Sequence, residues 1–106
     1  MPIEGNRRPF KKKRIEIALD EPGVYELLKD NELVYIGMSE ASIRGRLQDH
    51  KRGDVMPRTV THFKVEPAAS PKRREGQLLR EYQRNHGGEL PRYNVQGPRP
   101  STKGRG

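Results

Sequence analysis

Two tyrosines stand ten residues apart in short segments rich in β-branched and aromatic residues. Tyr25 ends residues 23–25 (GVY), and Tyr35 begins residues 35–37 (YIG). A strand tyrosine commonly packs half-buried with its hydroxyl at the surface. Its phenol can also exchange a proton in catalysis, but at an unperturbed pKa of about 10 it is protonated at neutral pH. A catalytic tyrosine here therefore needs a neighbour that lowers its pKa.

Three further polar residues could act on a phosphate. Arg46 carries a planar guanidinium that can bind phosphate through two parallel hydrogen bonds, and His50 follows one helical turn later, so both can face one cleft. A histidine at this spacing is either structural or contacts phosphate or shares a proton relay, and these alternatives stay open. Glu75 falls on the same helix face as Leu78, so its carboxylate leans towards the core, whereas Glu81 falls on the polar face.

The strands that must position these residues are marked by turn signals. Residues 23–28 (GVYELL) and 33–37 (LVYIG) flank the turn segment KDNE, which predicts an antiparallel hairpin. Residues 59–67 (TVTHFKVEP) alternate imperfectly and end at a proline, which predicts a third strand.

Two helices are predicted from caps and apolar spacing. Residues 39–53 begin with a possible Ser39 cap and form an amphipathic segment. Residues 71–86 follow a Ser70 cap, have Pro71 at the first helical position and stop at two glycines. Together, the elements predict an α+β fold in which helices flank a small, mostly antiparallel sheet of three strands.

The chain of 106 residues has the size of one small domain. It lacks an apolar run of the roughly 18 residues that span a bilayer, and its start lacks a secretion signal, so we expect an intracellular, cytoplasmic protein without membrane partners. It contains no cysteine, so a metal would be held by oxygen or histidine nitrogen. This favours a hard cation such as Mg²⁺.

The net charge of +8 is concentrated at the two ends of the chain. Residues 1–14 carry +5 and residues 95–106 carry +3, whereas residues 15–94 contain thirteen basic and thirteen acidic residues. We expect flexible basic arms at 1–14 and 97–106 around a folded domain at 15–96. The first arm is predicted to bind nucleic-acid phosphates through its basic side chains, although such arms can also merely aid solubility: Arg7, Arg8, Lys11, Lys12, Lys13 and Arg14.

Several of these features occur together in one known family. The GVY and YIG tripeptides, Arg46 before a leucine, Glu75 in a later helix and residues 91–95 (PRYNV) resemble the GIY-YIG nuclease superfamily. The closing segment is especially similar to that of the amino-terminal endonuclease domain of the UvrC excision-repair family. The resemblance covers about residues 22–95 and implies a three-stranded sheet flanked by helices. It also implies hydrolysis of DNA phosphodiesters with one divalent cation, Mg²⁺ or Mn²⁺, per site.

The resemblance also implies roles for individual residues. Tyr25 would be the general base and Tyr35 would orient water or phosphate. Arg46 would bind the scissile phosphate, and Glu75 would be the protein ligand of the cation. Asn94 matches the family position as well, and as a turn residue it would either support the site or be purely architectural.

This chain departs from the family pattern at two places. Met38 follows YIG where many relatives have a lysine, so one phosphate contact is either missing or supplied by the basic arms. The stretch from Glu75 to Asn94 spans nineteen residues and is longer than in UvrC, and helical phase selects Glu75 over Glu81 within it.

The expected partner is DNA, double-stranded or branched, and a partner protein could supply targeting because the arms contact phosphates without reading bases. The alternative from another class is a nucleic-acid-binding module of the same fold without turnover. Ribonuclease activity or RNA binding is a third interpretation, because no residue distinguishes the sugar.

Overall fold

The computed structural model describes residue 3, residues 5–52 and residues 59–95, and these form an α+β fold of four antiparallel strands and helices. The elements are, in chain order, β1 (Arg8–Pro9), α1 (Lys12–Glu16), β2 (Gly23–Lys29), β3 (Glu32–Ser39), α2 (Ile43–Lys51), β4 (His62–Pro67), α3 (Pro71–Asn85) and α4 (Arg92–Val95). No helix in this described part is long and apolar enough to cross a membrane.

The sheet has the order β1-β4-β2-β3, and every pair of neighbouring strands is antiparallel. The central strand β2 aligns Tyr25 with Gly37 of β3 on one side and with Val65 of β4 on the other. Strand β3 is therefore an edge strand, and Tyr35 lies on it. The predicted hairpin, the third strand and the antiparallel arrangement are confirmed.

The fourth strand, β1, corrects the prediction of three strands, and it lies within the segment 1–14 that was expected to be a flexible basic arm. Strand β1 pairs with β4, and the next residue, Phe10, is buried edge-on against Phe63, with ring centroids 6.3 Å apart. Helix α1 then buries Ile15 in the same core. These isolated apolar residues have no period, so the pattern did not reveal them. The predicted tail at 97–106 lies outside the described residues.

The two faces of the sheet pack against different helices. Alternation along β2 sends Tyr25 towards α1 and α2 and sends Val24 towards α3, where it meets Leu78. The β2–β3 register shifts next to Leu27, because Val34 is an extra residue in β3. This bulge lets Val34 and Tyr35 pack into the same core.

Both predicted helices are present, with changes at their caps. Helix α2 is capped by Ser42, whose hydroxyl accepts a hydrogen bond from the Gly45 amide at 3.1 Å, and not by Ser39. The Ser39 hydroxyl instead accepts from the Ser42 amide at 2.9 Å and shapes the preceding turn. Helix α3 starts at Pro71 and ends before two positive-φ glycines, as predicted.

Candidate active site

The two glycines of the tyrosine motifs are required for space. A Cβ on Gly37 would lie 2.5 Å from the Tyr25 hydroxyl and 2.7 Å from the Tyr35 ring. A Cβ on Gly23 would lie 2.6 Å from the Ile43 side chain and would also collide with the backbone of β4. Neither glycine has a positive φ, so close approach explains both. The missing side chain at Gly37 leaves the space in which the rings of Tyr25 and Tyr35 pack beside β3.

Tyr25, Tyr35 and His50 form an aromatic cluster on the α2 face of the sheet. The His50 ring centroid lies 5.6 Å from that of Tyr25 and 5.5 Å from that of Tyr35, and the two tyrosine centroids are 6.2 Å apart. Tyr25 is fully buried and His50 is 4% exposed, whereas Tyr35 is half-buried. Tyr35 is therefore the member that an approaching ligand meets first.

A hydrogen bond of 2.7 Å joins the Tyr25 hydroxyl to His50 Nε2. In the tautomer that carries its proton on Nδ1, His50 accepts the phenolic proton at Nε2. The bond therefore places a proton acceptor in direct contact with the phenol. The sequence placed His50 beside Arg46 but did not reveal this contact, because the two partners are 25 residues apart.

Arg46 lies one helical turn before His50 on α2. Its side chain is 40% exposed, and its guanidinium lies 3.8 Å from the Asp49 carboxylate. The Asp49 carboxylate is closer to Arg52, at 2.6 Å. Arg46 is thus a partly exposed guanidinium on the same helix as His50, and a guanidinium can bind phosphate oxygens in pairs.

Asn94 braces strand β3 next to the cluster. Its side-chain amide donates to the Ile36 carbonyl at 3.0 Å, and its side-chain oxygen accepts from the Ile36 amide at 2.9 Å. These two bonds satisfy backbone groups on the open edge of β3, between Tyr35 and Gly37. The structure gives Asn94 an architectural contact that positions the site, and it lies in the short helix α4 instead of a turn.

Glu75 is a half-buried carboxylate on α3. Burial raises the pKa of Glu75, and the ammonium of Lys72 partly opposes that rise. Helix α3 packs through Leu78 on the face of the sheet opposite the aromatic cluster, next to Ile36 of the edge strand. Among the described residues, no three His, Asp or Glu side chains are grouped so that they could hold a metal ion.

Glu81 lies at the border between the polar and the apolar face of its helix. It is half-buried, and it lines one pocket with Glu26 and Leu78 and another with Gln77, Arg80 and Arg84. Its charge acts on the guanidinium of Arg74, which also forms a two-bond ion pair with Glu66 at 2.6 and 3.2 Å.

The predicted phosphate-binding residues of the first arm lie at the edge of the α2 face. Arg8 is in β1, and Arg7 donates to the Asp30 carbonyl at 2.6 Å and so braces the hairpin turn. The other four lie just before or within α1, which packs against α2, and all of them are exposed: Lys11, Lys12, Lys13 and Arg14.

Comparison of the chain with models of protein families, with curated proteins and with solved structures gives no match. The resemblance to GIY-YIG nucleases consequently rests on the motifs alone, and the roles that it implies stay predictions. The geometry above stands independently of them.

Proposed function

We propose that the protein is a metal-dependent endonuclease that hydrolyses phosphodiester bonds in DNA, as the motif resemblance implies. The observation that carries the proposal is the hydrogen bond between Tyr25 and His50, which lies behind the half-buried Tyr35 and one helical turn from Arg46. A buried phenol that is bonded to an imidazole at 2.7 Å can exchange a proton without a large movement of either side chain.

In the proposed reaction, the aromatic cluster receives the proton of the attacking water. The water gives a proton to the Tyr25 oxygen, and Tyr25 passes its own proton to His50 Nε2. The water oxygen forms a bond to phosphorus while the bond to the leaving oxygen breaks. That oxygen then takes a proton from solvent, and His50 returns its proton to solvent through Tyr25, which restores both side chains.

Arg46 and Tyr35 would hold the phosphate. Negative charge grows on the phosphate oxygens and on the leaving oxygen during the attack, and a positioned guanidinium stabilises it. Arg46 is exposed enough to bind two phosphate oxygens, and the Tyr35 hydroxyl would orient the phosphate or the water.

The donor set fits a divalent cation that is held through one carboxylate. Glu75 is half-buried, and burial disfavours its charged form, so a cation beside it would favour that form. Mg²⁺ commonly keeps several waters and needs few protein ligands. When bound, it would supply charge stabilisation at the phosphate. Helices α2 and α3 both contact β3, so Arg46 and Glu75 lie on elements that flank the same strand.

The basic residues around α1 would hold the phosphate backbone without reading bases. We therefore expect low sequence specificity and recognition of DNA shape, including branched DNA, with a targeting protein as a further partner.

The test is cleavage of supercoiled plasmid and of branched DNA and RNA oligonucleotides with Mg²⁺, Mn²⁺ or chelator. Wild type is expected to cut DNA only with the metal, and Glu75→Ala is expected to abolish cutting. Glu81→Ala, a matched removal of a half-buried carboxylate from the same helix, should leave most of it.

Binding without cutting under all conditions would instead favour the non-catalytic module. Loss of cutting in Glu81→Ala alone would show that the assignment of the metal ligand is wrong. Cutting of RNA in preference to DNA would change the substrate.

A further inference from the structure

The exposed surface of helix α3 carries only one sign of charge. Its exposed side chains are either basic or amides, and the two carboxylates of the helix are both half-buried; the exposed set is Lys72, Arg73, Gln77, Arg80, Arg84 and Asn85. A solvated helix face usually alternates acidic and basic residues, which stabilise each other across one turn. This surface lacks that alternation.

Four of these residues form one narrow stripe. At 100° per residue, Arg73, Gln77, Arg80 and Arg84 fall within about 60° of one another around the helix axis. The stripe is about 16 Å long, which corresponds to about five nucleotide steps along one DNA strand. We call this set the α3 stripe.

The arginines of α2 are arranged differently. Asp49 lies near both Arg46 and Arg52, and Asp20 lies 3.9 Å from Arg44. Within the described part of the chain, the three arginines of the α3 stripe form no salt bridge. Glu66 pairs with Arg74, which is only 19% exposed and lies outside the stripe. Glu81 lies beside Gln77, Arg80 and Arg84 but is half-buried.

We propose that the α3 stripe is a second nucleic-acid contact surface, which binds the phosphate backbone. Guanidinium groups bind phosphate oxygens in pairs, and the Gln77 amide adds a neutral donor of the kind that contacts phosphates. The inference rests on the proposed function in taking nucleic acid as the partner. It adds a surface that the nuclease site does not need for chemistry.

The location of the stripe gives it a separate role. Helix α3 covers the face of the sheet opposite the aromatic cluster, so the two surfaces point away from each other. A nucleic-acid segment bound on the α3 stripe is therefore distinct from the segment held at Arg46. One protein molecule can then hold two nucleic-acid segments, or two arms of one branched nucleic acid.

The test measures DNA binding without divalent cation, so that cleavage does not interfere. Affinity for a short duplex is measured by fluorescence anisotropy at several salt concentrations for wild type and for Arg73→Gln/Arg80→Gln/Arg84→Gln. Each lost phosphate contact lowers the slope of log affinity against log salt by about 0.9, so three lost contacts lower it by about 2.7. The loss of affinity between 50 and 200 mM salt then becomes about 40-fold smaller.

The matched control is Arg73→Lys/Arg80→Lys/Arg84→Lys, which keeps the charge and should keep most of the salt slope. All three positions are exposed and glutamine is a good helix former, so the variants should fold. A second assay immobilises one duplex and asks whether the protein captures a second, labelled duplex. The glutamine variant should lose this capture while it still binds the first duplex.

If the glutamine variant keeps the salt slope of wild type, the stripe is not a nucleic-acid surface, and the proposed nuclease is unaffected. If wild type binds no nucleic acid at all, both proposals are overturned. If polyglutamate binds wild type more tightly than DNA does and the glutamine variant loses only that binding, the stripe takes an acidic polypeptide instead, and the inference is wrong.

Discussion

The α2 face and the α3 face of the sheet each contain a polar pair, but the pairs differ in kind. On the α2 face, the buried Tyr25 and His50 share one hydrogen bond of 2.7 Å. On the α3 face, the carboxyl of Glu26 is buried beside the half-buried Lys64 ammonium. A phenol and an imidazole that share a hydrogen bond can exchange a proton, whereas a carboxyl group and an ammonium interact mainly through charge.

The exposed arginines of the two faces also differ in their acidic neighbours. The arginines of α2 lie near Asp20 and Asp49, whereas the exposed arginines of the α3 stripe stand among basic and amide side chains. We infer a division of labour in which the α2 face performs the proton transfer and the α3 face contributes the metal ligand Glu75, stability and contacts to the nucleic-acid backbone. The predictions below test this division.

The largest effect is expected for Tyr25→Phe, which removes the hydroxyl but keeps the ring. If the phenol transfers the proton, kcat falls by about 100- to 10,000-fold while DNA affinity is unchanged. The control is Tyr82→Phe on the α3 face, where Tyr82 stacks on His86 at 3.7 Å. That variant should cleave as wild type does. Normal turnover by Tyr25→Phe would remove the proton transfer from the α2 face.

Two glycine substitutions should have opposite effects on stability. In Gly37→Ala, the new Cβ collides with the Tyr25 and Tyr35 rings, and the overpacking should cost about 1–3 kcal/mol in the free energy of unfolding. In Gly76→Ala on α3, the nearest atom is the flexible end of Arg80 at 3.3 Å, and the better helix propensity should add about 0.5–1 kcal/mol. Urea unfolding measures both changes. Equal stability of the two variants would contradict the packing described around Gly37.

The elements with strong local signals were predictable from the sequence. The hairpin has a turn segment between two strands, and α3 has Pro71 at its start and paired glycines after its end. Strand β1 was not predicted because it is two residues long and its place depends on the burial of the isolated Phe10. Short elements of this kind are set by tertiary contacts and not by periodicity.

The sequence suggested candidate site residues but not the contacts between them. The bond from Tyr25 to His50 and the two bonds from Asn94 to Ile36 join residues 25 and 58 positions apart. No local pattern encodes such pairs. The equal numbers of acidic and basic residues in positions 15–94 likewise concealed the α3 stripe, because burial of Glu81 and of other carboxylates leaves the arginines outside.

After Gly37→Ala, the next largest loss of stability is expected for Asn94→Ala. It removes two partly buried hydrogen bonds to the Ile36 backbone, which at about 1 kcal/mol each amounts to about 2 kcal/mol in the free energy of unfolding. Asn94→Asp keeps the acceptor for the Ile36 amide but cannot donate to the Ile36 carbonyl, so it should lie between wild type and Asn94→Ala. Urea unfolding of the three proteins gives the order. Full stability of Asn94→Ala would show that the edge of β3 does not need this brace.

The smallest effect concerns the pH dependence of the α3 face. Burial raises the pKa of Glu26 above its usual 4.5, while the Lys64 ammonium, an amide hydrogen bond from Ile3 and the Arg74 guanidinium lower it and Glu66 raises it. The folded state therefore binds this proton more tightly than the unfolded chain does. The contribution of Glu26 to stability is greatest below the usual pKa and falls as pH rises through the folded pKa.

Glu26→Gln removes that titration, so the free energy of unfolding of wild type relative to the variant should fall as pH increases above about 4.5. One group can change this difference by at most about 1.4 kcal/mol per pH unit. The measurement is urea unfolding of both proteins at several pH values, in which the carboxylates common to both cancel. A difference that stays constant with pH would mean that Glu26 ionises as freely in the folded state as in the unfolded chain. The α3 face would then hold its carboxylate in water-like surroundings, and burial would not govern the ionisation of Glu26.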